Sequence, residues 1–475
     1  MIIRLRPALV LAALAILVLC LLPSWGFFSR LAFLGAIVTL GLTLSALFVP
    51  EREWRIFDRP KNAVLPDGTA TLLILLTWLI TILAIFSTGL TYEDAPEYSL
   101  WLLAMAWVGC LIAAVIIVFR MPPLLYPQLE TRSQRSVFAL AVVLAVGFAL
   151  RAIVLYASPN PVIDVYSWLR DSSTQVLHGR NPYSEEIQTP YGTKRAAHYG
   201  VREPADARPP AYPPLPILLC LPFRALGLDV RWANIVGDLM AGVALFGVAA
   251  HRGRPSFGLI CACLFLNLPR SVWIIEQAWY EPMLAGLFGL GFWLIEYEGA
   301  RRWLGFVLLA LGLTGKQFGL PLLFPLAWSQ RRHWRMLLAG LIVAGLVMLP
   351  WLVWSPHDFF DVILFKHLHR PPQFHSLTVV SACAQIFGVY PLRMVNWAIA
   401  VGLILAISWR TPQQGAAAAL GVGTALFVFC IFHTQGFPNY FYLCEYLWLL
   451  GMIGMFSERP FEFPAKLQPR RFAVR

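Results

Sequence analysis

The stretch PVIDVYSWLRDSSTQVLHGRNPYSEE, residues 161–186, is a polar interlude in a chain otherwise dominated by long apolar runs. It opens a loop over 161–216 that carries Asp164, Asp171 and Asp206, two adjacent glutamates and several aromatic residues. Apolar segments flank this loop on both sides, and it is too polar to lie in lipid and too long for a plain connection. The pattern indicates an active-site loop held between membrane helices.

The composition places the chain among polytopic membrane proteins. Of its 475 residues, 59% are hydrophobic and only 13% are charged, whereas soluble domains carry about a quarter charged residues. The net charge of +12 does not indicate a nucleic-acid partner, because the basic residues lie mainly in short loops without an exposed aromatic stripe. The eight cysteines form no CxxC pattern, so neither a zinc site nor a disulfide framework is indicated.

Apolar runs long enough to cross about 30 Å of hydrocarbon recur along the whole chain. They lie near 7–24, 31–49, 70–88, 99–119, 136–156, 231–250, 257–275, 280–297, 302–315, 318–330, 336–354, 393–409, 415–432 and 440–456. Two further apolar stretches, 213–227 and 377–390, are predicted to be juxtamembrane helices on the outer face. We therefore expect an all-α polytopic membrane protein, a bundle of about 14 transmembrane helices.

Basic residues in the connecting loops set the orientation, because Lys and Arg concentrate on the cytoplasmic side. Arg4 and Arg6 start inside, whereas the acidic loop TYEDAPE (91–97) has no Lys or Arg and faces outward. The fifth helix then delivers the polar loop to the outer, periplasmic face of the cytoplasmic (inner) membrane. The predicted segments are an N-terminal four-helix module (1–135), a core (136–456) with its outer loop at 157–230, and a basic cytoplasmic tail (457–475).

Asp164 is the leading candidate for a catalytic residue. It follows a predicted spanning helix by a few residues, which places a carboxylate at the membrane–water boundary, where it can take a proton from an incoming hydroxyl. Partial burial at that depth shifts a carboxyl pKa toward values useful for a base. The alternative is that Asp164 caps the helix VYSWLRDSS, since Asp is a favoured cap.

Lys316 and Gln317, in TGKQFG (314–319), lie at a predicted outer break between two short helices. A lysine beside free helix ends suits an anionic phosphate, although snorkelling to the interface is the alternative. Arg151 and Asp238 lie deeper, and pairing with each other is as plausible as contact with substrate. The loop KHLHRPPQFHS (366–376) contains three histidines whose spacing fits no zinc site, so its Arg370 is predicted to face a lipid phosphate.

Sugar or acceptor binding is predicted for polar and aromatic residues at the outer turns. Charged groups at the ends of apolar helices are functional candidates because burying them is costly. The turn GRNPY (179–183) provides an aromatic platform, although an ordinary loop turn would explain it as well. The candidates are Tyr166, Trp168, Asp171, Asn181, Tyr183, Gln277, Glu281, Asn439 and Tyr440.

The motifs IDVYSWLRDSSTQVLHGRNPY, AYPPLP, EQAWYEP, TGKQFG and QGFPNYFY, in this order, resemble those of a known family. The chain is similar over 136–456 to the GT-C glycosyltransferases, especially the polyprenol-phosphate-mannose-dependent mannosyltransferases of glycosyltransferase family 87. In that superfamily the first large outer loop carries a catalytic aspartate, which Asp164 matches here. A lysine near the lipid phosphate is matched by Lys316. Four helices precede the core here, a departure that leaves Asp94 as a rival catalytic residue.

The resemblance implies transfer of a sugar from a polyprenyl-phosphate donor to a lipid or glycan acceptor, and mannose is the sugar that it favours. Asp164 would act as general base with inversion at the anomeric carbon. Lys316, with Arg151 or Arg370, would meet the phosphate charge, so no metal or other cofactor is expected. Two alternatives stay open: a transporter or flippase for a lipid-linked sugar, and an inactive scaffold for envelope synthesis.

Overall fold

The computed structural model describes residues 2–55, 67–86, 90–91, 96–125, 134–185, 187–188, 190, 207–208, 212–269, 271–365, 372–413 and 415–456. Within these ranges the chain is almost entirely helical, with four strands of two or three residues. The helices are α1 (Leu5–Leu21), α2 (Arg30–Phe48), α3 (Gly68–Phe86), α4 (Pro96–Leu125), α5 (Gln134–Ala157), α6 (Asp164–Leu177), α7 (Pro214–Ala225), α8 (Arg231–His251), α9 (Pro255–Leu266), α10 (Ser271–Glu276), α11 (Glu281–Leu294), α12 (Ala300–Thr314), α13 (Gly319–Ser329), α14 (Trp334–Trp354), α15 (Pro356–Phe360), α16 (Val379–Phe387), α17 (Arg393–Arg410), α18 (Ala418–Phe432) and α19 (Pro438–Gly454). The strands are β1 (Ile2–Arg4), β2 (Glu53–Arg55), β3 (Ile187–Gln188) and β4 (Ala207–Arg208), which pair β1 with β2 and β3 with β4 in antiparallel register.

Every predicted apolar run contains a helix, and the 257–275 run is divided between α9 and α10. The predicted juxtamembrane segments form the short helices α7 and α16. Six of the described helices are long and apolar enough to cross a membrane: Arg30–Phe48, Trp101–Arg120, Arg135–Ala157, Arg231–His251, Arg331–Trp354 and Gly415–Phe432. The chain is therefore a multi-pass membrane protein, whereas the figure of about 14 spans is not confirmed.

The last two helices form the centre of the bundle. Helix α19 buries every residue except Tyr440, and α18 is nearly as enclosed. A helix that is apolar around its whole circumference is stable only when other helices surround it or lipid does. Helix α14 lies at the periphery, because its buried positions are only Leu337, Gly340, Ala344 and Trp351. Its many exposed apolar side chains suit contact with lipid rather than with water.

Small residues allow a close helix contact in the core, between α8 and α11. A Cβ atom on Gly237 would lie 2.4 Å from the carbonyl oxygen of Pro282 and 2.6 Å from Cα of Met283. Backbone therefore touches backbone at this point, which is the arrangement that membrane helices reach through small residues. The same contact aligns the beginning of α11, and with it Glu281, against α8.

The N-terminal helices pack directly on this core. Helices α1 and α2 contact each other, α1 also contacts α19, and α2 contacts α18. Helices α3 and α4 pack against α9. The first four helices thus pack directly against later ones.

A fully buried ion pair joins three core helices. Arg151 Nε, on α5, donates to Asp238 Oδ2, on α8, at 2.6 Å, and both side chains are completely buried. The hydroxyl of Tyr442, on α19, donates to Asp238 Oδ1 at 2.7 Å. The remaining donors of Arg151 include an Nη1 bond to the Leu266 carbonyl at 3.2 Å. The predicted pairing of Arg151 with Asp238 is confirmed.

Candidate active site

A cavity of about 150 Å³ lies where the polar loop meets the breaks in the core helices. Its walls are the first turns of α6, the segment 277–280, the segment 316–318, and the residues around the start of α19. Many of the predicted site residues line it: Asp164, Trp168, Gln277, Lys316, Gln317, Asn439 and Tyr440. Motifs that are far apart in the sequence therefore meet around one space.

Lys316 lies in the short break between α12 and α13, which glycines allow. A Cβ on Gly319 would lie 1.8 Å from the Leu313 carbonyl oxygen, and one on Gly315 would lie 2.3 Å from the Leu284 side chain. Helix α12 therefore ends and α13 begins within a few residues, folded tightly back on the preceding turn. Lys316, between them, faces the cavity with only 8% of its surface exposed.

Glu281 and two tyrosine rings surround the Lys316 ammonium. Nζ donates to Glu281 Oε1, and it lies 4.3 Å from the ring centre of Tyr440 and 4.6 Å from that of Tyr280. Asn439 Nδ2 also donates to Glu281 Oε1, at 2.7 Å. Glu281 is completely buried and outside the cavity lining, where it contacts the lysine from behind the cavity wall. A buried carboxylate and electron-rich ring faces both stabilise the charged ammonium.

Asp164 is the first residue of α6, with Ile163 as the residue that precedes the helix. Its Oδ1 accepts the backbone N–H of Val165 at 2.8 Å, so the carboxylate does interact with the helix N-terminus. Asp164 is therefore not the N-cap that the alternative interpretation predicted, and its half-buried side chain lines the cavity. Position at a helix start and access to the cavity are compatible with each other.

The helix that carries Asp164 is anchored on α7. Ser173 Oγ donates to the Ile217 carbonyl at 3.3 Å, and Arg224 Nε donates to Thr174 Oγ1 at 2.8 Å. Helix α6 also buries Val165 and Leu169, among other residues. The Asp164 carboxylate is thus held by a packed helix rather than by a free loop, although the surrounding segment is polar.

Tyr166 and Asp171 were predicted to bind sugar, but they lie outside the cavity lining. The Arg231 guanidinium lies 5.1 Å from the ring centre of Tyr166, and Asp229 Oδ2 accepts its hydroxyl at 3.5 Å. The Arg170 guanidinium donates to Asp171 from Nε at 2.6 Å. Helical spacing explains Tyr166, since a residue two places after Asp164 projects from another face of α6, whereas Asp171, seven places on, lies on the same face about two turns further along the helix.

Asn181 and Tyr183 also lie outside the cavity lining, and they support it from behind. Asn181 Oδ1 accepts the Tyr183 N–H at 3.0 Å, which closes the turn. The Tyr183 hydroxyl donates to the Tyr212 carbonyl at 2.7 Å, and burial raises the pKa of this hydroxyl so that it remains a donor. The Tyr212 ring itself lines the cavity and meets Trp168 edge-on at 5.5 Å.

Of the predicted phosphate ligands other than Lys316 and Gln317, one lies away from the cavity and the other lies outside the described residues. Arg151 is held by Asp238 within the bundle and is outside the lining. Arg370 lies outside the described residues, as do His367, His369 and the rival base Asp94. Among the described residues, no group of three or more His, Cys, Asp or Glu comes together as a metal site would require. Metal independence of the reaction stays a prediction.

Sequence reasoning missed several lining residues, most of them aromatic. Tyr212 and Tyr280 lie inside the motifs AYPPLP and EQAWYEP, so the signal was present but was assigned to their neighbours. Phe27, Trp273 and Phe429 come from segments that no motif covered, whereas Gln373 lies in the loop KHLHRPPQFHS, whose basic residues alone were considered. Trp279, also in EQAWYEP, belongs with the first group.

Comparison with known proteins identifies the region around this cavity. The model of glycosyltransferase family 87 matches residues 211–434. The resemblance to family 87 is confirmed. This is a GT-C-type family, and the match supports a membrane glycosyltransferase of that family. No curated protein and no solved structure matches the chain.

The range matched by the family 87 model contains Lys316, Gln317, Gln277, Glu281 and Tyr212. Asp164 precedes it, and Asn439 and Tyr440 follow it. The assignment of Asp164 to the site therefore depends on the cavity that it shares with Lys316 rather than on the matched range.

Proposed function

We propose that this protein transfers a sugar from a polyprenyl-phosphate donor to a lipid or glycan acceptor. Mannose is the sugar that we propose to test first. The site would face the outer side of the cytoplasmic membrane. The observation that carries the proposal is the presence of the Asp164 carboxylate and the Lys316 ammonium on the walls of one cavity. A glycosyl transfer from a phosphate needs one group of each kind.

Lys316 would meet the phosphate of the donor. When the bond between the anomeric carbon and the phosphate oxygen breaks, the electron pair leaves with that oxygen as negative charge. A cation held in place before the reaction stabilises such charge without reorganising, and Glu281, Tyr280 and Tyr440 hold this one. Gln317, next to it on the cavity wall, can donate a further hydrogen bond to the phosphate.

An apolar groove supports a lipid donor. It has a volume of about 130 Å³ and lies between α13 and α17, with walls of Leu320, Pro321, Phe324, Trp397, Ala400, Val401, Ile404, Leu405 and Phe429. Phe429 lines both this groove and the cavity. The first isoprene units of the donor would occupy the groove, and the rest of the tail would extend into lipid.

Asp164 would act as the general base. It accepts the proton of the acceptor hydroxyl as that oxygen attacks the anomeric carbon from the side opposite the phosphate. The new glycosidic bond forms as the phosphate bond breaks, and the configuration inverts. A positioned base of this kind contributes about 10²- to 10⁴-fold to a rate.

The experiment compares purified wild type with Asp164→Asn in proteoliposomes that contain radiolabelled polyprenyl-phosphate mannose and a membrane-lipid extract. Asp171→Asn is the matched control, because it neutralises a carboxylate on the same helix that is paired with Arg170 outside the cavity. We expect wild type and Asp171→Asn to label a new lipid or glycan, and Asp164→Asn to be slower by about 10²- to 10⁴-fold.

Equal transfer by all three proteins would remove Asp164 from the mechanism while leaving the enzyme. Transfer from other polyprenyl-phosphate sugars, but not from mannose, would correct the sugar. Movement of the donor across the bilayer without any transfer would instead establish a flippase.

A further inference from the structure

The loop between α1 and α2, residues 22–29, reaches the cavity from a part of the chain that the family 87 match does not include. Phe27 lines the cavity directly. The Phe28 N–H donates to the His375 carbonyl at 2.9 Å, which ties the loop to the segment that carries Gln373, another lining residue. Two residues of this loop therefore contact the site and its border.

The loop is held in a backbone conformation that side chains disfavour. Trp25 has a φ of +55° and Gly26 a φ of +74°, both in the left-handed region. Gly26 lies against α19, since a Cβ there would be 2.5 Å from Cγ of Pro438. In the described part of the chain, Trp25 shares a positive φ with one other non-glycine residue, Ala278, between the lining residues Gln277 and Trp279. Strain of this kind persists where surrounding structure enforces it, often at functional sites.

Four aromatic rings connect these two strained points. Trp273 meets Trp25 at 5.6 Å, Phe27 at 6.4 Å and Trp279 at 4.9 Å between ring centres, each nearly edge to face. We call the three cavity-lining members, Phe27, Trp273 and Trp279, the aromatic wall. Trp25 packs behind it.

A second loop of the N-terminal helices fixes the same wall. Trp273 Nε1 donates to Thr91 Oγ1 at 2.8 Å, and the Thr91 N–H donates to the Glu276 carboxylate at 2.9 Å. Gln277 Nε2 donates to the same carboxylate at 3.0 Å. The aromatic wall thus contacts two connections between N-terminal helices, the one between α1 and α2 and the one between α3 and α4. Both connections are predicted to face outward.

We propose that the aromatic wall is the subsite for a sugar ring of the acceptor, and that the first four helices serve to supply and hold it. The proposal rests on the function proposed above. Aromatic faces bind sugars because the C–H face of a pyranose packs on a flat apolar ring while its hydroxyls bond to nearby polar groups. Gln277, beside the wall, provides such a group.

The position of the aromatic wall favours the acceptor, rather than the donor's lipid tail, as the group that it binds. The donor's lipid is assigned to the apolar groove at Phe429, which shares no residue with the aromatic wall. Two of its three members, Phe27 and Trp279, lie between predicted spans on the outer side, where a sugar rather than a polyprenyl chain would be found. Its contribution should therefore appear in the KM for the acceptor.

The test uses Phe27→Ala and Phe27→Leu in the transfer assay, with the concentrations of donor and acceptor varied separately. Both variants are expected to raise the acceptor KM by about three- to tenfold, because leucine keeps apolar bulk but has no ring face. The donor KM should not change. Phe119→Ala is the control, since Phe119 lies on α4, is 77% exposed and does not line the cavity.

An unchanged acceptor KM in both Phe27 variants would overturn the proposal, as would an increase in the donor KM alone. Full recovery by leucine would assign Phe27 to packing and would also overturn stacking. These outcomes leave the proposed transferase intact, because wild type still transfers.

A binding measurement decides the case in which wild type shows no transfer. Tryptophan fluorescence is titrated with octyl α-mannoside and, separately, with octanol. A saturable change with the mannoside that weakens at least threefold in Phe27→Ala, and is absent with octanol, is expected. An identical response of wild type and Phe27→Ala would overturn the aromatic wall as a sugar subsite.

Discussion

The Lys316–Glu281 pair permits a test that separates charge at the phosphate from stability of the bundle. Lys316→Met removes the ammonium and leaves Glu281, which is completely buried, without its main cationic partner. Breaking a buried ion pair from one side costs about 3–5 kcal/mol. Loss of the ring contacts at 4.3 and 4.6 Å adds about 0.5–2 kcal/mol.

The double variant Lys316→Met/Glu281→Gln removes both charges together. Replacing a buried pair with neutral groups of similar size is often neutral or stabilising, so most of the lost stability should return. The amide carbonyl that this change introduces can still accept from Asn439, which in wild type bonds Glu281 at 2.7 Å. The double variant therefore retains the packing around the cavity while lacking the cation.

The assay is an apparent Tm in detergent at one fixed heating rate, measured together with sugar transfer. Lys316→Met should lower the apparent Tm by on the order of 5–10 °C, and the double variant should recover most of that loss. Transfer should fall by about 10²- to 10³-fold in both, because neither has a charge to stabilise the leaving phosphate. Recovery of transfer in the double variant would refute the catalytic role of Lys316 and leave it a structural ion pair.

Two further predictions concern packing and acid stability. Gly237→Ala should lower the apparent Tm by several degrees, because the added Cβ would lie 2.4 Å from the backbone oxygen of Pro282. The control Gly41→Ala should leave the Tm unchanged, because a Cβ at Gly41 would have nothing within 4 Å. Equal Tm values for the two variants would show that α8 and α11 can separate without cost. The hydroxyls of Ser355, at 2.6 Å, and Ser184, at 2.8 Å, donate hydrogen bonds to the Asp358 carboxylate and hold its pKa below the ordinary value near 3.8. The stability from these contacts is therefore present above pH 3.8 and is lost as the pH falls through the lowered pKa. Thermal unfolding of Ser184→Ala between pH 3 and pH 6 should therefore depend less on pH than that of wild type, and an unchanged pH dependence would contradict this.

Much of the fold could be predicted because lipid permits few backbone structures. Each apolar run had to be helical to satisfy its own hydrogen bonds, and Arg151 and Asp238 had to find partners inside the hydrocarbon. The break at Lys316 was predicted from its flanking glycines, which the close approach to Leu313 and Leu284 requires. These inferences depend on local chemistry that a single segment contains.

The remaining features depend on how separate segments come together. Glu281 and Lys316 are 35 residues apart, and nothing in either motif specifies that the Glu281 carboxylate pairs with the Lys316 ammonium. Tyr166 and Trp168 look equivalent in the sequence, but the turn of α6 directs one to Arg231 and the other to the cavity. Phe27 reaches the cavity only because α1 packs on α19, a contact between helices at opposite ends of the chain.

The buried Arg151 network also has a consequence for how the protein is made. Arg151 is synthesised 87 residues before Asp238, and Tyr442 follows 204 residues after that. At about 5–20 residues per second, the arginine is complete roughly 4–17 seconds before its carboxylate partner exists. A guanidinium without a partner is costly inside the hydrocarbon of a bilayer, so we expect α5 to stay beside the insertion machinery or at the interface until α8 arrives. We therefore expect assembly of this protein to be ordered in time by one ion pair, which links the insertion of α5 to that of α8.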